Sequence, residues 1–157
     1  MKIPRRRRLE AKTDYKARFS LLKAEKLRLV IRKTNRYIIV QIVSSDTAQD
    51  KVVLGMSSKI LLSQGLPKES SGSLKSLGAA YLTGFLLGKN ALKSGIKEVI
   101  LDMGMYASIK NSRIYAALKG AVDAGLNIPH NKEVLPQMES IKSEKMAKIF
   151  DKIVGEK

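Results

Sequence analysis

The stretch LRLVIRKTNRYIIVQIV, residues Leu27–Val43, has the alternation of a β-hairpin with Thr34 and Asn35 at its turn. In this register Arg32 lies opposite Tyr37. Because successive side chains of a strand point to opposite faces of a sheet, one face of the hairpin is predicted to be wholly apolar. That face carries Leu27, Leu29, Ile31, Ile38, Val40 and Ile42. The opposite face carries Arg28, Arg32, Tyr37 and Gln41.

The composition of that second face fits a polyanion. Arginine forks match the geometry of phosphate groups, and aromatic rings stack on nucleic-acid bases. An ordinary solvated outer face has the same composition, so the hairpin alone leaves both interpretations open.

The distribution of charge favours the polyanion. The chain has 157 residues, enough for one domain with a hydrophobic core, and 30 Lys plus Arg against 14 Asp plus Glu give it a net charge of +16. Residues 1–36 hold 14 basic and 3 acidic side chains, so they carry +11 of that charge. A field concentrated in this way attracts polyanions, of which nucleic acid is the commonest.

A membrane is the rival target of such charge, but the sequence does not support it. Met1–Arg8 contains no apolar run that would make a signal peptide or an insertion segment, and no stretch approaches a transmembrane span. The chain has no cysteine, which excludes disulfides and thiolate metal sites and is typical of a reducing compartment. We therefore expect a cytoplasmic protein with no membrane partner.

Three segments are predicted along the chain. Residues 1–23 form a basic arm that includes Arg18, and repulsion between its like charges predicts that the first dozen residues are disordered until a polyanion binds. Residues 24–135 form the globular domain, and residues 136–157 form a C-terminal helix. After the hairpin, the expected elements are a strand Lys51–Ser57 with Val52, Leu54 and Met56 on one face, a loop over 63–73, a helix Leu74–Lys93, a strand Glu98–Leu101, a helix Arg113–Ala124 capped by Ser112, and a helix Ser140–Ile153.

Handedness predicts the topology of an α/β fold. The first three strands are antiparallel neighbours, and a right-handed crossover through the long helix places the fourth strand parallel to the first. The resulting mixed sheet has the order 3-2-1-4, the layout of the ribonuclease H-like motif. The helices should cover the apolar face, so that the face with Arg28, Arg32 and Tyr37 stays open.

The sequence offers no catalytic constellation. Ribonuclease H-like nucleases hold metal ions with carboxylates near the first and fourth strands, yet the first strand has no acid and Asp102 has no evident partner. Gly84–Asn90 only faintly echoes a phosphate-binding loop, and His130 is the single histidine, so it lacks a second imidazole for a metal site. No enzyme activity, catalytic residue, metal or cofactor is predicted, and no small-molecule substrate.

Four collinear segments carry a family resemblance. Arg5–Tyr15, Arg28–Gln41, Ala79–Lys89 and Ala117–His130 resemble the large-subunit ribosomal protein eighteen family in its archaeal and eukaryotic branch. The chain departs from the pattern at Asn111, where the family usually has glycine, and the tail after residue 136 has no counterpart that we identify.

The resemblance implies a structural protein of the large ribosomal subunit. Its expected partners are 5S rRNA, the large-subunit rRNA and ribosomal protein five of the large subunit, with 5S rRNA attached in the central protuberance. A different ribosomal protein of the same fold, such as small-subunit protein eleven, and a free-standing RNA-binding regulator are the alternatives. RNA contacts are implied for Arg5, Arg6, Arg7, Arg8, Lys12, Thr13, Tyr15, Arg28, Arg32, Asn35, Arg36, Tyr37 and Gln41. Arg18 joins this set through its place in the basic arm.

Overall fold

Four strands form one mixed sheet in the computed structural model, which describes residues 5–46, 49–67, 72, 74–142 and 144–155. The order is β3-β2-β1-β4, as predicted, with β1 antiparallel to β2 and parallel to β4. The right-handed crossover therefore predicted the neighbour of β1 correctly. The strands are β1 Arg28–Lys33, β2 Ile38–Asp46, β3 Gln49–Ser57 and β4 Ile100–Asp102.

The register of the hairpin differs from the prediction by two residues. Arg32 pairs with Ile39, and Lys33 pairs with Ile38, so the turn spans four residues, 34–37. The Thr34 hydroxyl closes this turn by donating to the carbonyl of Tyr37 at 2.6 Å and accepting from the amide of the same residue at 3.0 Å. A two-residue turn would need positive φ at Thr34, which a β-branched residue disfavours. Because the shift is even, each strand residue keeps its predicted face.

The apolar face of the hairpin is the floor of the core, as predicted. Two helices, α4 Leu77–Lys93 and α5 Arg113–Asp123, pack over it and against each other. The Ser76 hydroxyl caps α4 by accepting from the amide of Ala79 at 3.2 Å, so this helix begins three residues later than predicted. The floor residues Leu29, Ile31, Ile38, Val40 and Ile42 are buried, and Leu27 lies at the margin.

Two glycines let α4 and α5 touch backbone to backbone. A Cβ at Gly84 would lie 2.0 Å from the carbonyl oxygen of Ala117, and a Cβ at Gly120 would lie 2.1 Å from that of Tyr81. Any side chain at either position would force the helices apart, so both glycines fix the distance between them.

The C-terminal segment is two helices rather than one. They are α6 Met138–Ile141 and α7 Glu144–Gly155, and Lys142 between them has an extended backbone. Ile141 and Met146 are both fully buried. In one continuous helix, two residues five positions apart would point to different sides. The break lets both side chains enter the core. The Phe150 ring stacks on Tyr81 of α4 at 5.0 Å, so α7 completes the core of the same chain.

The third strand contains an irregularity that the sequence did not predict. The β2–β3 register shifts between Ile42 and Val43: Ile42 pairs with Leu54, but Val43 pairs with Val52. Because adjacent residues of β2 point to opposite faces, Val52 lies on the face opposite to that of Leu54 and Met56. The prediction for Val52 is therefore wrong, and this side chain is 50% exposed. Leu54 and Met56 pack against the core as predicted.

The remaining boundaries differ by a few residues. A short helix, α3 Ile60–Ser63, enters the predicted loop, of which 68–71 and 73 lie outside the described residues. Glu98 forms an isolated bridge with Asn127 ahead of β4. In the part of the chain that the structure describes, no helix is long and apolar enough to cross a bilayer.

The arm is helical from Arg6, in contrast to the disorder predicted for the first dozen residues, of which residues 1–4 lie outside the described part of the chain. It contains α1 Arg6–Leu9 and α2 Tyr15–Lys23. Glu10 offsets the repulsion by pairing with Arg6 at 3.1 Å and with Lys12 at 2.7 Å. The Asp14 carboxylate caps α2 by accepting from the amides of Lys16 and Ala17.

Candidate nucleic-acid interface

Arg28 is buried, in contrast to the predicted open face. Its side chain is 2% exposed, and its guanidinium donates at 2.6 Å to Asp102 and at 2.6 Å to Asp50. It also donates to the Ser45 hydroxyl at 2.7 Å. With both carboxylates in hydrogen-bond contact and almost no exposed surface, this guanidinium cannot reach a phosphate. The prediction of an accessible Arg28 on an open face is therefore wrong, and Arg28 joins β1 to β4 and to β3.

Arg18 of α2 connects the arm to the same carboxylate. Its two terminal nitrogens each donate to Asp50 at 2.9 Å, a bidentate pair. The hydrogen bond from Arg18 is the largest cause of an Asp50 pKa well below its ordinary value, and Ser45 and Arg28 act in the same direction. Reciprocally, the hydrogen bond to Asp50 raises the pKa of Arg18. The arm is thus fixed to the sheet through an ionised Asp50.

Among Arg18, Arg28 and Arg32, Arg32 has the most exposed side chain. Its side chain is 37% exposed, and it donates to the carbonyl oxygens of Ile31 at 3.0 Å and Asp102 at 3.2 Å. Its distance to the Asp102 carboxylate is 3.5 Å, a weak contact. Gly104, with φ of 63°, brings the backbone against the guanidinium, where a Cβ would lie 3.1 Å from Cζ. The group is therefore oriented by the backbone while part of it faces solvent.

The arm and the hairpin meet at one cleft. This arm–sheet cleft, of about 650 Å³, lies between α2 and the sheet and is closed at its base by β4 residues. It brings together predicted residues of the arm and of the hairpin. Arg18 of the arm and Arg32 of the hairpin are 14 positions apart in the sequence. The predicted residues that line it are Arg7, Lys12, Thr13, Arg18 and Arg32. Arg28 lies behind this surface instead of on it.

The hairpin turn forms a second exposed part of the predicted set, outside the arm–sheet cleft. Asn35 and Arg36 are exposed at its tip. Tyr37 is half-buried against the core margin, and the Lys59 ammonium lies 4.6 Å from its ring centroid. Gln41 is half-buried in the middle of β2 beside Gly55. The turn offers one arginine, one amide and a ring edge to a ligand.

The arm begins with a run of exposed arginines. Arg5, Arg6, Arg7 and Arg8 are exposed, and the Arg6 side chain is 86% exposed. The Arg7 Nε donates to the Thr13 hydroxyl at 2.9 Å, and the Arg5 guanidinium lies 4.7 Å from the Tyr15 ring centroid. These contacts orient the two guanidinium groups and leave further N–H donors for other oxygens.

Sequence reasoning missed the two acids that organise the interface. Asp50 is the second residue of β3 and Asp102 ends β4, but Arg28, the arginine that both acids share, lies 22 and 74 positions away from them along the chain, so no local pattern reveals the pairing. It also missed Phe19, an exposed ring on α2. A signal existed for Phe19, since Tyr15 and Phe19 stand four residues apart on a helix that buries nothing.

Asp102 has a structural role that differs from that of a nuclease carboxylate. Its Oδ2 accepts from Arg28, and its Oδ1 accepts from the amide of Gly104 at 2.8 Å. Within the described ranges, no group of three or more His, Cys, Asp or Glu side chains could hold a metal ion. The His130 Nδ1 lies 2.6 Å from the carbonyl oxygen of Ile128, a contact within its own loop.

Comparison with known proteins gives consistent matches. A family model described as "Ribosomal large subunit proteins 60S L5, and 50S L18" matches residues 1–98 and 93–131. A large ribosomal subunit protein uL18 from Korarchaeum cryptofilum is 46% identical over 155 residues, 99% of this chain and 77% of the relative. That alignment extends through the tail that the sequence resemblance left unmatched. Proteins of the same name from Methanothermobacter thermautotrophicus and Aeropyrum pernix are 46% and 42% identical, over 91% and 93% of this chain and 72% and 67% of their own lengths. The chain therefore belongs to this family of large-subunit ribosomal proteins.

Proposed function

We propose that this ribosomal protein binds 5S rRNA through the arm, the arm–sheet cleft and the hairpin turn and helps attach it to the large-subunit rRNA in the central protuberance, beside ribosomal protein five. The chain is a structural component of the large subunit, a cytoplasmic assembly, and not an enzyme. The single observation that carries the proposal is the arm–sheet cleft, which gathers cations of both basic segments around one concave surface. A concave cationic surface fits the backbone of a folded RNA.

The ion pairs with Asp50 and Asp102 decide which cations are available for phosphate. Arg18 and Arg28 are engaged by Asp50 and Asp102, so they position the surface. The exposed cations Arg5, Arg6, Arg7, Arg8, Lys12 and Arg36, together with the partly exposed Arg32, remain to contact RNA. Residues 1–23 accordingly act as the RNA-binding arm.

The test measures the affinity for 5S rRNA at several salt concentrations by filter binding. If about six of the exposed cations reach phosphates, the plot of log affinity against log salt has a slope of roughly −4 to −5, at about 0.7 to 0.9 per contact. Deletion of residues 1–8 flattens the slope by about 3 and leaves the fold intact, because none of the described arm residues is buried. A wild-type slope shallower than about −2 contradicts the proposal.

A second measurement concerns the location of the protein. Sedimentation of cell extract places it with the large subunit and 5S rRNA if the proposal holds. A free-standing RNA-binding regulator would sediment apart from ribosomes. Release of 5S rRNA from subunits that lack the protein would support the attachment role directly.

A further inference from the structure

The guanidinium of Arg32 lies against the turn that follows β4. Its Nη1 donates to the carbonyl oxygens of Ile31 at 3.0 Å and Asp102 at 3.2 Å. Its Nη2 lies 3.5 Å from the Asp102 carboxylate. The edge of the planar group that Nη1 and Nη2 share is therefore directed at oxygens of the protein itself.

The neighbouring edge of the same guanidinium is formed by Nε and the second N–H of Nη2. Nε donates no hydrogen bond to any residue in the part of the chain that the structure describes. Arg32 lines the arm–sheet cleft, and more than a third of its side chain is exposed. Two parallel N–H donors on one edge match two oxygens of one phosphate. This free edge therefore fits the polyanion that the cleft favours.

Gly104 makes room for the guanidinium in this orientation. A Cβ at Gly104 would lie 3.1 Å from both Cζ and Nη2 of Arg32, and 3.2 Å from Nη1. These distances are shorter than the optimal separation of about 3.5 to 4.0 Å between non-bonded atoms. The group that would have to move is the end of a flexible side chain. A side chain at Gly104 would therefore displace the arginine and leave the sheet folded.

The turn around Gly104 is held by a carboxylate that is itself fixed. Asp102 Oδ1 accepts from the amide of Gly104 at 2.8 Å, and Oδ2 accepts from the buried Arg28 at 2.6 Å. Arg32 is thus oriented mainly by backbone carbonyls, which cannot rotate away as a side-chain partner can. Donors that are fixed before binding lose less conformational entropy when the ligand arrives.

We propose that Gly104 is a positioning residue, which lets Arg32 present its Nε and Nη2 edge to two oxygens of one RNA phosphate. This inference rests on the proposed function, and it identifies an oriented phosphate contact within the arm–sheet cleft. Arg32 contacts the RNA, and Gly104 acts only through Arg32.

A double-mutant cycle tests the role of Gly104, with the affinity of the full-length protein for 5S rRNA measured by filter binding at fixed salt. Arg32→Ala should weaken binding about tenfold, as expected for the loss of a charge-assisted contact. Gly104→Ala should weaken it by a similar factor in the wild-type background. In protein that already carries Arg32→Ala, the same change should alter the affinity by less than about twofold. A merely structural role would weaken binding equally in both backgrounds.

Arg32→Lys tests the free edge separately, because it changes no backbone position. Lysine keeps the charge, so the slope of log affinity against log salt should stay at its wild-type value. An ammonium group cannot offer two parallel donors, so the affinity should nevertheless fall about fivefold. Arg32→Ala, which removes the charge, should make the slope shallower by about 0.7 to 0.9.

The matched control is Gly95→Ala. Gly95 also has a positive φ, 78°, but nothing lies within 4 Å of its Cβ position, and it does not line the arm–sheet cleft. This variant measures the effect of a side chain at positive φ alone, and it should bind 5S rRNA as the wild type does. Urea denaturation without RNA gives the folded fraction of each variant, by which its affinity is corrected.

Four outcomes overturn the inference: unchanged affinity in Gly104→Ala, a Gly104→Ala protein that does not fold, an equal loss in both backgrounds of the cycle, or wild-type affinity in Arg32→Lys. The affinity and salt slope of the wild type judge the proposed function. A protein that binds 5S rRNA with the expected slope but tolerates these substitutions would therefore contradict only the roles of Gly104 and Arg32.

Discussion

Arg28 Nη1 donates a hydrogen bond of 2.6 Å to Asp102 Oδ2, and both side chains are shielded from solvent. The pair joins the first and fourth strands, the two that the crossover makes neighbours. Asp50 of β3 accepts from the same guanidinium, so one arginine connects β1 to both edge strands of the sheet.

Arg28→Ala should cost about 3 to 5 kcal/mol of unfolding free energy, because removal of one partner leaves a buried carboxylate uncompensated. Urea denaturation of the RNA-free protein measures this loss. Arg36→Ala, at the exposed turn, is the control and should remain within about 0.5 kcal/mol of wild type. An Arg28→Ala protein as stable as wild type would show that the pair contributes nothing to folding.

Ile38→Ala should separate the role of the core face of the hairpin from that of its exposed turn. Removal of apolar volume beneath the crossover helix should cost about 2 to 5 kcal/mol. Its affinity for 5S rRNA, corrected for the unfolded fraction, should stay at the wild-type value. Arg36→Ala should show the reverse pattern, with wild-type stability and weaker binding. Measurement of denaturant unfolding and RNA affinity for each variant checks this, and an exchange of the two patterns would contradict the assignment of Ile38 to the core and of Arg36 to the RNA-binding surface.

Gly84→Ala should disrupt the contact between α4 and α5. The added Cβ would lie 2.0 Å from the Ala117 carbonyl oxygen, a backbone atom that cannot move aside alone. We expect a loss of about 3 kcal/mol or more in thermal or urea unfolding, at the upper end of overpacking effects. Gly155→Ala is the matched control, because nothing lies within 4 Å of its Cβ position, and it should be neutral or slightly stabilising. Equal stabilities of the two variants would contradict the close helix contact.

Asp50→Asn should change the acid side of the stability curve. Folding lowers the Asp50 pKa below its ordinary 3.8, so its ionised form stabilises the protein above about pH 4, and this stabilisation is lost as the pH falls further. At pH 7 the variant should be less stable by about 1 kcal/mol, a modest value because the carboxylate is 38% exposed. The difference should shrink below pH 4, as urea midpoints at several pH values would show. A difference that is constant from pH 7 to pH 2 would exclude this carboxylate as the cause.

The faces of the hairpin were predictable because they depend on parity alone. The register was wrong by two residues, yet Ile31 and Ile38 remained in the core since an even shift preserves the side of each residue. Parity fails where a residue is inserted, and Val52 was misplaced because the strand has an irregularity there.

The candidate site was less predictable, because its contacts are distant in sequence. The pairing of Arg28 with Asp102 spans 74 positions, and an arginine that alternates with apolar residues has the same pattern whether buried or exposed. The family resemblance singled out Asn111, a position that hydrophobic periodicity does not distinguish. Asn111 stands where glycine is usual, and its φ of 57° is a conformation that asparagine tolerates better than most residues.

The packing of Phe150 on Tyr81 has a consequence for synthesis of the protein. The last helix supplies core side chains as far as Ile153, so the core cannot close until nearly the whole of this sequence has been translated. The basic arm precedes these core residues in the sequence, so it is made before them. Nascent chains therefore have a cationic segment before they have a stable domain behind it, and we expect contact with unrelated RNA to compete with folding at this stage.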